Sequence, residues 1–251
     1  MYQFFVDPGA ISEKQVVITG KDVNHIKNVL RMKVGEEIAV SNGVDGREYR
    51  CGILQMTEDA VICELRFIKE DDVELPSKIY LFQGLPKADK MELIIQKAVE
   101  LGAYEIIPVA TKRAVVKLDA KKEKSKLARW QAISEAAAKQ SKRAVIPQVH
   151  SVMSFAQALA YADMLDVRLI PYEMAEDMAK TRSLIEEIRP GQSIGIFIGP
   201  EGGFAPEEIE QAMAHATQPI TLGKRILRTE TAGMTVLSIL MYTLEGQELK
   251  A

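Results

Sequence analysis

Residues 222–232 read LGKRILRTETA; they begin in the short apolar run PITLG and lead into the helix-like run AGMTVLSILMYTL. A connection between a strand and a helix needs little more than a turn residue and a cap. This segment instead carries six side chains that can donate or accept hydrogen bonds, enclosed by Gly223 and Gly233. Such a density of polar groups indicates a functional site. The six are Lys224, Arg225, Arg228, Thr229, Glu230 and Thr231.

The apolar residues of the segment predict a binding slot. Leu222, Ile226 and Leu227 can enclose a flat ring, and free backbone N–H groups around Gly223 and Leu227 can bond the edges of that ring.

The polar residues allow two interpretations. Thr229 and Thr231 are candidate caps for the following helix. Arg228 and Glu230 form either an exposed ion pair, worth about 0–1 kcal/mol, or a site in which the planar guanidinium binds a phosphate or an anionic base.

A second candidate loop, in residues 198–211, reads IGPEGGFAPEEIEQ and also follows an apolar strand-like run. Its three glycines are typical either of an efficient strand-to-helix turn or of a backbone that approaches a ligand closely. The loop is neither a Walker motif nor G-x-G-x-x-G. Glu207 and Glu208 already occupy the positive end of the predicted helix, so a pyrophosphate is disfavoured. A ligand with a neutral purine and a cationic centre, such as S-adenosylmethionine, fits better.

Both loops belong to a region in which strand-like and helix-like runs alternate. Apolar strands that are buried on both faces and alternate with helices predict a mostly parallel α/β sheet, whose ligands bind beyond the carboxyl ends of its strands. The predicted strands are residues 79–85, 105–110, 167–173, 193–200 and 219–223, and the predicted helices are residues 89–102, 127–143, 154–162, 179–189, 206–216 and 232–244.

The first part of the chain has a different pattern. Up to residue 68 it reads as five short strands broken by turn signals. One helix interrupts them; it opens on Asp22 as a plausible N-cap and places Val23, Ile26, Val29 and Leu30 on one face, so that it can plug a small barrel. The acidic run KEDDVELPSK then reads as a linker. We therefore predict two domains, residues 1–70 and 71–251.

Composition excludes several classes of protein. The chain has 251 residues and no apolar run near the roughly 18 residues of a membrane helix. It starts without a secretory leader, and Cys51 and Cys63 lie in strand-like runs without a C-x-x-C pair, which favours reduced thiols in a cytoplasmic protein. The three histidines lack metal-ligand spacing, so we expect no metal site.

The charge distribution is uneven. The net charge is −3, yet residues 111–143 contain eleven Lys and Arg against three acidic residues. Such a run is either a solvated helix face or the footprint of a nucleic acid on an otherwise acidic protein.

Together with QGLPKADKMELIIQKAVELG, EAAAKQSKR and HIKNVLRMKVG, the two loops resemble the RsmE family, the ribosomal RNA uridine-N3 methyltransferases of the SPOUT (trefoil-knot) superfamily. The resemblance spans both parts of the chain. It implies an N-terminal PUA-like β-barrel followed by a SPOUT α/β trefoil-knot methyltransferase domain, an exception to the rule against threaded chains. It also implies a homodimer with S-adenosylmethionine bound at the knot.

The resemblance further implies which residues form the site. The target is a uridine in small-subunit (16S) ribosomal RNA, either as naked RNA or in the assembled 30S subunit. The expected cofactor residues are Gly199, Pro200, Glu201, Gly202, Leu222, Gly223, Ile226, Leu227, Arg228, Thr231 and Ala232. The expected RNA-binding residues are Arg31, Lys87, Lys90, Lys112, Arg113, Lys139, Lys142, Arg143 and Arg225.

The implied chemistry requires that the uridine loses its N3 proton before it attacks the sulfonium methyl. Arg228 is the candidate that stabilises the resulting negative charge. Either Glu230 or Glu201 takes the proton, and the sequence leaves that choice open. An alternative function is a non-catalytic RNA-binding module acting in ribosome assembly. A nucleotide-binding oxidoreductase is disfavoured because the dinucleotide fingerprint is missing.

Overall fold

The computed structural model describes residues 1–70, 73–175 and 177–245, without the side chain of residue 70. The chain forms two compact units, residues 1–74 with 138–146, and residues 75–137 with the chain from 147 onward. The boundary at residue 70 remains a prediction. Asp71 and Asp72 of the predicted linker, and the last six residues of the predicted second domain, lie outside the described residues.

The first unit is built on a five-stranded sheet with the order β1-β3-β4-β5-β2. All neighbours are antiparallel except β1 and β3. Two register shifts between β4 and β5 add twist and curl the sheet around its apolar core. The strands are β1 Gln3–Phe5, β2 Gln15–Thr19, β3 Glu37–Ser41, β4 Arg47–Met56 and β5 Ala60–Glu70.

A short helix, α1 (Lys21–Asn24), continues into a π-helical turn at His25–Val29. Two details of its prediction were wrong. Its N-cap is Gly20, while the Asp22 carboxylate lies 3.4 Å from the Lys139 ammonium. Val29 is exposed rather than buried with Val23 and Ile26, because the wider π turn shifts the phase of the helix.

The second unit contains a sheet with the order β12-β10-β11-β6-β7-β8, and β9 also pairs with β7. Every recorded pair is parallel, which confirms the predicted sheet type. The central strands are buried on both faces, and the rings of Phe82 and Phe197 stack there with centroids 4.4 Å apart. The strands are β6 Lys78–Gly84, β7 Ala103–Ala110, β8 Gln148–Val149, β9 Met153–Ser154, β10 Val167–Pro171, β11 Ser193–Ile198 and β12 Gln218–Ile220.

Each predicted helix of this region is present. Asp89 occupies the N-cap of α2 without a side-chain cap bond, and Gly102 follows the end of that helix with φ 87°. Helix α3 begins at Ala120, seven residues before its predicted start at residue 127, because its lysine-rich first turns lack an apolar face. The helices are α2 Lys90–Glu100, α3 Ala120–Ser141, α4 Phe155–Ala162, α5 Met178–Glu186, α6 Pro206–Ala214 and α7 Thr229–Leu244.

The structure also bears on three features considered from the composition, namely membrane helices, metal sites and cysteine chemistry. Within the described ranges, no helix is long and apolar enough to cross a membrane. The same ranges contain no cluster of three or more His, Cys, Asp or Glu that could hold a metal ion. Cys51 and Cys63 are free thiols, and burial raises the pKa of Cys51 to about 11 and that of Cys63 to about 12, so both are unreactive near neutral pH.

Candidate active site

Three connections of the second unit meet beyond the carboxyl ends of its strands. We call them the entry turn (residues 85–89, after β6), the glycine loop (residues 199–205, after β11) and the arginine loop (residues 221–228, after β12). Parallel strands bring such connections to one edge of the sheet. Direct hydrogen bonds join the entry turn and the start of α7 to the glycine loop.

Two glycines, one at the end of β6 and one in the glycine loop, are packed too tightly to carry a side chain. A Cβ at Gly84 would lie 2.6 Å from Pro200 Cδ, and one at Gly199 would lie 3.0 Å from the Cα of Gly203. Gly203 itself has φ 64° and open space around it. Glycine is therefore required for the close approach of β6 and the loop. Gly84 was not among the predicted site residues, although it lies in the quoted run QGLPK.

The basic residues that follow β7 lie against the glycine loop. The guanidinium of Arg113 donates to the carbonyl of Gly202 at 3.0 Å, and a Cβ at Gly202 would lie 3.2 Å from Arg113 Cβ. The open side of Gly202 thus faces a protein side chain. Arg113 and Lys112 both remain exposed at this edge.

The positive end of α6 is already occupied by carboxylates. Glu208 is buried and accepts from the backbone N–H of Ala205 and from that of Lys112, each at 2.8 Å. Glu207 pairs with the Lys112 ammonium, also at 2.8 Å. The negative charge of these two carboxylates at the helix end agrees with the preference for a ligand without pyrophosphate.

Two carboxylates from different loops face one ammonium group. Lys90 Nζ lies 2.9 Å from Glu201 Oε1 and 3.5 Å from Glu230 Oε2. Lys90 was predicted to bind RNA, but its charge is directed at these carboxylates. The structure therefore places it within the site, between the glycine loop and the first turn of α7.

The two carboxylates differ in how fully they are bonded. Glu201 also accepts from the backbone N–H of Lys87 at 3.1 Å. Partial burial alone would raise the pKa of Glu201, but the hydrogen bonds from Lys90 and Lys87 outweigh it and hold that pKa below its usual value. The Oε2 atom of Glu230 is buried and accepts no hydrogen bond from the described part of the chain. The Glu230 carboxylate is therefore the less fully hydrogen-bonded of the two.

Arg228 is exposed at the N-cap position of α7. Its guanidinium makes no hydrogen bond or ion pair within the described ranges, and Glu230 pairs with Lys90 instead. The surface ion pair between Arg228 and Glu230, one of the two interpretations of the sequence, is absent there. Arg225 is also exposed, two residues beyond Gly223, which has φ 106°.

Two expectations for the arginine loop require correction. Neither Thr229 nor Thr231 caps α7: the buried Thr229 hydroxyl donates to the carbonyl of Gly199 at 2.6 Å, and Thr231 is exposed. Leu222 and Leu227 are half-buried, as a binding slot requires, but Ile226 is 80% exposed. Ile226 follows two exposed cations, and its own exposure does not fit the enclosed position that the predicted slot would give it.

The Lys and Arg residues of 111–143, which we call the basic stretch, divide into two groups with different surroundings. Arg143 is 3% exposed and its guanidinium forms a forked pair with Glu74, while Lys139 pairs with Asp22. Their prediction as RNA contacts is not supported, because both charges are used inside the first unit. Arg31 and Lys142 are exposed, as are Lys117, Lys121 and Lys124, and these last three make no ion pair in the described ranges.

The sequence analysis missed Gln83 at the end of β6. This side chain is fully buried, and its amide donates to the Thr229 hydroxyl and to the carbonyl of Gly84, each at 2.9 Å. A polar residue inside the apolar run IYLFQGL was the available signal, since buried polar groups are retained only with specific partners.

Comparison with known proteins follows the same division of the chain. Residues 73–241 match the RNA methyltransferase domain family, and residues 18–66 match the RNA methyltransferase PUA domain family. The chain is 40% identical over 231 residues to the ribosomal RNA small subunit methyltransferase E of Bacillus subtilis, covering 91% of this chain and 90% of that protein. It is 37% identical to the protein of that name from Mesomycoplasma hyopneumoniae, covering 95% and 98% respectively.

A solved structure is similar over nearly the whole chain. The ribosomal RNA small subunit methyltransferase E of Neisseria gonorrhoeae, bound to S-adenosyl methionine, has a TM-score of 0.82 and 31% identity, covering 96% of this chain and 97% of that one. These similarities confirm the expected fold, a PUA-like barrel followed by a SPOUT α/β trefoil-knot methyltransferase domain.

Proposed function

This chain belongs to the ribosomal RNA small subunit methyltransferase E family, and we propose that it transfers a methyl group from S-adenosylmethionine to N3 of a uridine in 16S ribosomal RNA. The observation that carries the proposal is the pair of charged groups at the start of α7. Arg228 is exposed and unpaired within the described ranges. Glu230, two residues further on, has a buried Oε2 atom that accepts no hydrogen bond there and faces the Lys90 ammonium at 3.5 Å.

The residues of the site are compatible with S-adenosylmethionine. The half-buried Leu222 and Leu227 of the arginine loop suit a purine, and Gly203 of the glycine loop has open space around its backbone. Carboxylates at the positive end of α6 disfavour a phosphorylated nucleotide, whereas Glu201 and Glu230 favour a cationic ligand. When bound, S-adenosylmethionine supplies the electrophilic methyl group. The proposed contacts are the eleven cofactor residues predicted above, except Ile226 and Gly202, whose surroundings within one chain do not favour contact.

In the proposed mechanism, the protein prepares N3 of the uridine for attack. The Glu230 carboxylate accepts the N3 proton, which leaves the N3 electron pair free to form the new bond to carbon. S-adenosylmethionine would supply that carbon as its sulfonium methyl group, with S-adenosylhomocysteine as the leaving product. Arg228 donates from its planar fork to the uracil oxygens, where the negative charge of the deprotonated base accumulates. Because the fork is already unpaired, no ion pair has to break before it meets the base.

Glu230 is preferred to Glu201 as the proton acceptor for a geometric reason. Glu201 accepts from both Lys90 and Lys87, so protonating it would disrupt an existing set of hydrogen bonds. Its lowered pKa also makes Glu201 a weaker base than an ordinary glutamate. We assign to Glu201 the role of holding Lys90 and the entry turn.

We propose that the RNA-binding surface includes three exposed lysines that follow Arg113 in the sequence, just before and within the first turns of α3. Lys117, Lys121 and Lys124 carry charges without ion pairs in the described ranges, and the exposed Arg113 lies near them in sequence, at the edge of the site. An unpaired surface charge binds phosphate without first breaking an ion pair. Arg31, Lys87, Lys112, Lys142 and Arg225, all exposed, remain proposed RNA contacts.

Membership of the family also leads to proposals for the cellular location, the form of the RNA substrate and the oligomeric state. We propose that the protein acts in the cytoplasm on naked 16S RNA or on the 30S subunit. We also propose a homodimer; the exposed Tyr242 and Ile239 of α7 provide an apolar surface for it. The names of the relatives, together with the cofactor bound in one of them, disfavour the non-catalytic RNA-binding alternative.

The direct test is mass-spectrometric mapping of methylated uridine in 16S RNA from a deletion strain. The proposal predicts that one N3-methyluridine disappears on deletion and returns with the wild-type chain, but not with Arg228→Ala. An unchanged map would contradict the proposed substrate. Calorimetry with S-adenosylmethionine separates a cofactor-binding enzyme from a pure RNA binder, which would give no binding heat.

A further inference from the structure

Thr229 lies directly between Arg228 and Glu230 and is buried at the junction of three segments. Its hydroxyl accepts from Gln83 Nε2 at 2.9 Å and donates to the carbonyl of Gly199 at 2.6 Å. One side chain therefore connects the end of β6, the start of the glycine loop and the first turn of α7.

The amide of Gln83 can adopt only one orientation in this arrangement. Its nitrogen donates to the carbonyl of Gly84, which is only an acceptor, so the nitrogen and oxygen atoms cannot be exchanged. The Oε1 atom is left buried without a hydrogen-bond partner in the described ranges. A buried, unpartnered carbonyl is a cost to folding, so the stability of the fold alone does not explain a glutamine here.

We propose that Gln83 and Thr229 are positioning residues that fix the first turn of α7 against the glycine loop, and thereby orient Arg228 and Glu230. The inference rests on the proposed catalytic roles of those two residues. The chain of bonds runs from Gln83 Nε2 to the Thr229 hydroxyl and on to Gly199. Without it, the N-terminal turn of α7 keeps the longer link through Lys90 but loses its direct side-chain hydrogen bond to the loop, and α7 has no side-chain cap.

The test uses variants of similar shape. Thr229→Val removes both hydrogen bonds, whereas Thr229→Ser keeps the hydroxyl. Ser134→Ala is the matched control: the buried Ser134 hydroxyl also donates to a carbonyl at 2.6 Å, that of Pro147, outside the site. We expect the single-turnover methylation rate of the intact protein to fall at least ~10-fold in Thr229→Val, and to stay within about twofold of wild type in the other two.

Hydrogen exchange provides a readout that does not depend on activity. Peptides that cover the first turn of α7 should exchange faster in Thr229→Val than in wild type, Thr229→Ser or Ser134→Ala. Equal exchange in all four proteins, or equal rate losses in Thr229→Val and Thr229→Ser, would overturn the inference. A wild-type protein that methylates no uridine would instead contradict the proposed function, so the two failures are distinguishable.

Gln83→Met is a second variant that is expected to stay folded, so it tests the positioning role even if Thr229→Val is unstable. It removes the unpartnered oxygen together with the donor to Thr229, while keeping a side chain of similar length. We expect an unchanged or higher melting temperature with a rate at least ~10-fold lower. A wild-type rate, or a rate loss explained by a lower folded fraction, would contradict a positioning role.

Discussion

The glycine loop and the arginine loop lie at the same edge of the sheet but differ in how they are held. In the glycine loop, Glu201 accepts from Lys90 and Lys87, and the carbonyl of Gly202 accepts from Arg113. In the arginine loop, residues 224–226 and Arg228 are exposed. This difference supports the proposed division of labour, in which the fixed loop frames the cofactor while cations on the other loop are left for RNA.

The exposed loop should carry the largest effect of a single substitution. Arg228→Lys keeps the positive charge but loses the planar fork. If that fork stabilises the uracil anion, the single-turnover rate at saturating cofactor should fall at least ~10²-fold, with the melting temperature unchanged. Arg225→Lys, on the same loop, is the matched control and should fall far less. Equal rates in both variants would remove the distinction between Arg228 and an ordinary surface cation.

The fixed loop should be sensitive to added volume. Gly84→Ala places a methyl group 2.6 Å from Pro200 Cδ, so the loop must shift. We expect a loss of roughly 1–3 kcal/mol in the free energy of unfolding, together with weaker binding of S-adenosylhomocysteine in calorimetry.

Gly233→Ala is the control for that substitution. A Cβ at Gly233 would meet its nearest neighbours at 3.8 Å, an ordinary contact, within helix α7. Alanine also favours the helix by about 0.5–1 kcal/mol over glycine. Similar losses of stability in the two variants would mean that the contact with Pro200 does not hold the loop.

The two parts of the basic stretch extend the comparison to RNA. A triple Lys117→Gln, Lys121→Gln, Lys124→Gln variant should reduce the salt dependence of RNA binding by about one unit of slope per lost contact. Lys139→Gln, which breaks the pair with Asp22, should leave that slope unchanged. The reverse pattern would support the alternative interpretation, in which these three lysines lie on a solvated helix face and do not contact RNA.

The smallest expected effect concerns pH and the ion pair that holds the glycine loop. The folded pKa of Glu201 lies below its ordinary value of 4.5. The stabilisation of the folded state by its ion pair with Lys90 is therefore fully present above the ordinary pKa of 4.5. It is lost as the pH falls through the lower pKa of the folded state. Glu201→Gln should lower the melting temperature slightly at pH 7, and the difference should vanish on acidification. A difference that grows in acid would contradict the assigned ion pair.

Much of the fold was predictable, because its longer elements carry strong periodicity. All five strands of the first unit and the five longer strands of the second were expected. The two-residue strands β8 and β9 are too short to produce a pattern. The π turn at His25–Val29 was also missed because it does not change the local composition, and the early start of α3 because its lysine-rich first turns have no apolar periodicity.

The candidate site was predictable as a set of loops but not as a set of contacts. Turn chemistry and strand ends located the glycine and arginine loops. Which charges meet is decided by tertiary structure: Glu201 and Glu230 are far from Lys90 in sequence, yet each carboxylate lies within 3.5 Å of the Lys90 ammonium. Likewise, nothing local distinguishes Arg143, which pairs with Glu74, from an exposed lysine of the same stretch.

The most direct test of this division of labour is the single-turnover methylation rate of Glu230→Gln and Glu201→Gln across pH. A protein without its proton acceptor depends on uridine that has ionised by itself, so its rate should rise about tenfold per pH unit while the base remains mostly neutral. We predict this recovery for Glu230→Gln, and for Glu201→Gln a profile parallel to that of wild type. Recovery in Glu201→Gln instead, or profiles in both variants that overlay the wild type, would contradict the assignment of catalysis to the start of α7.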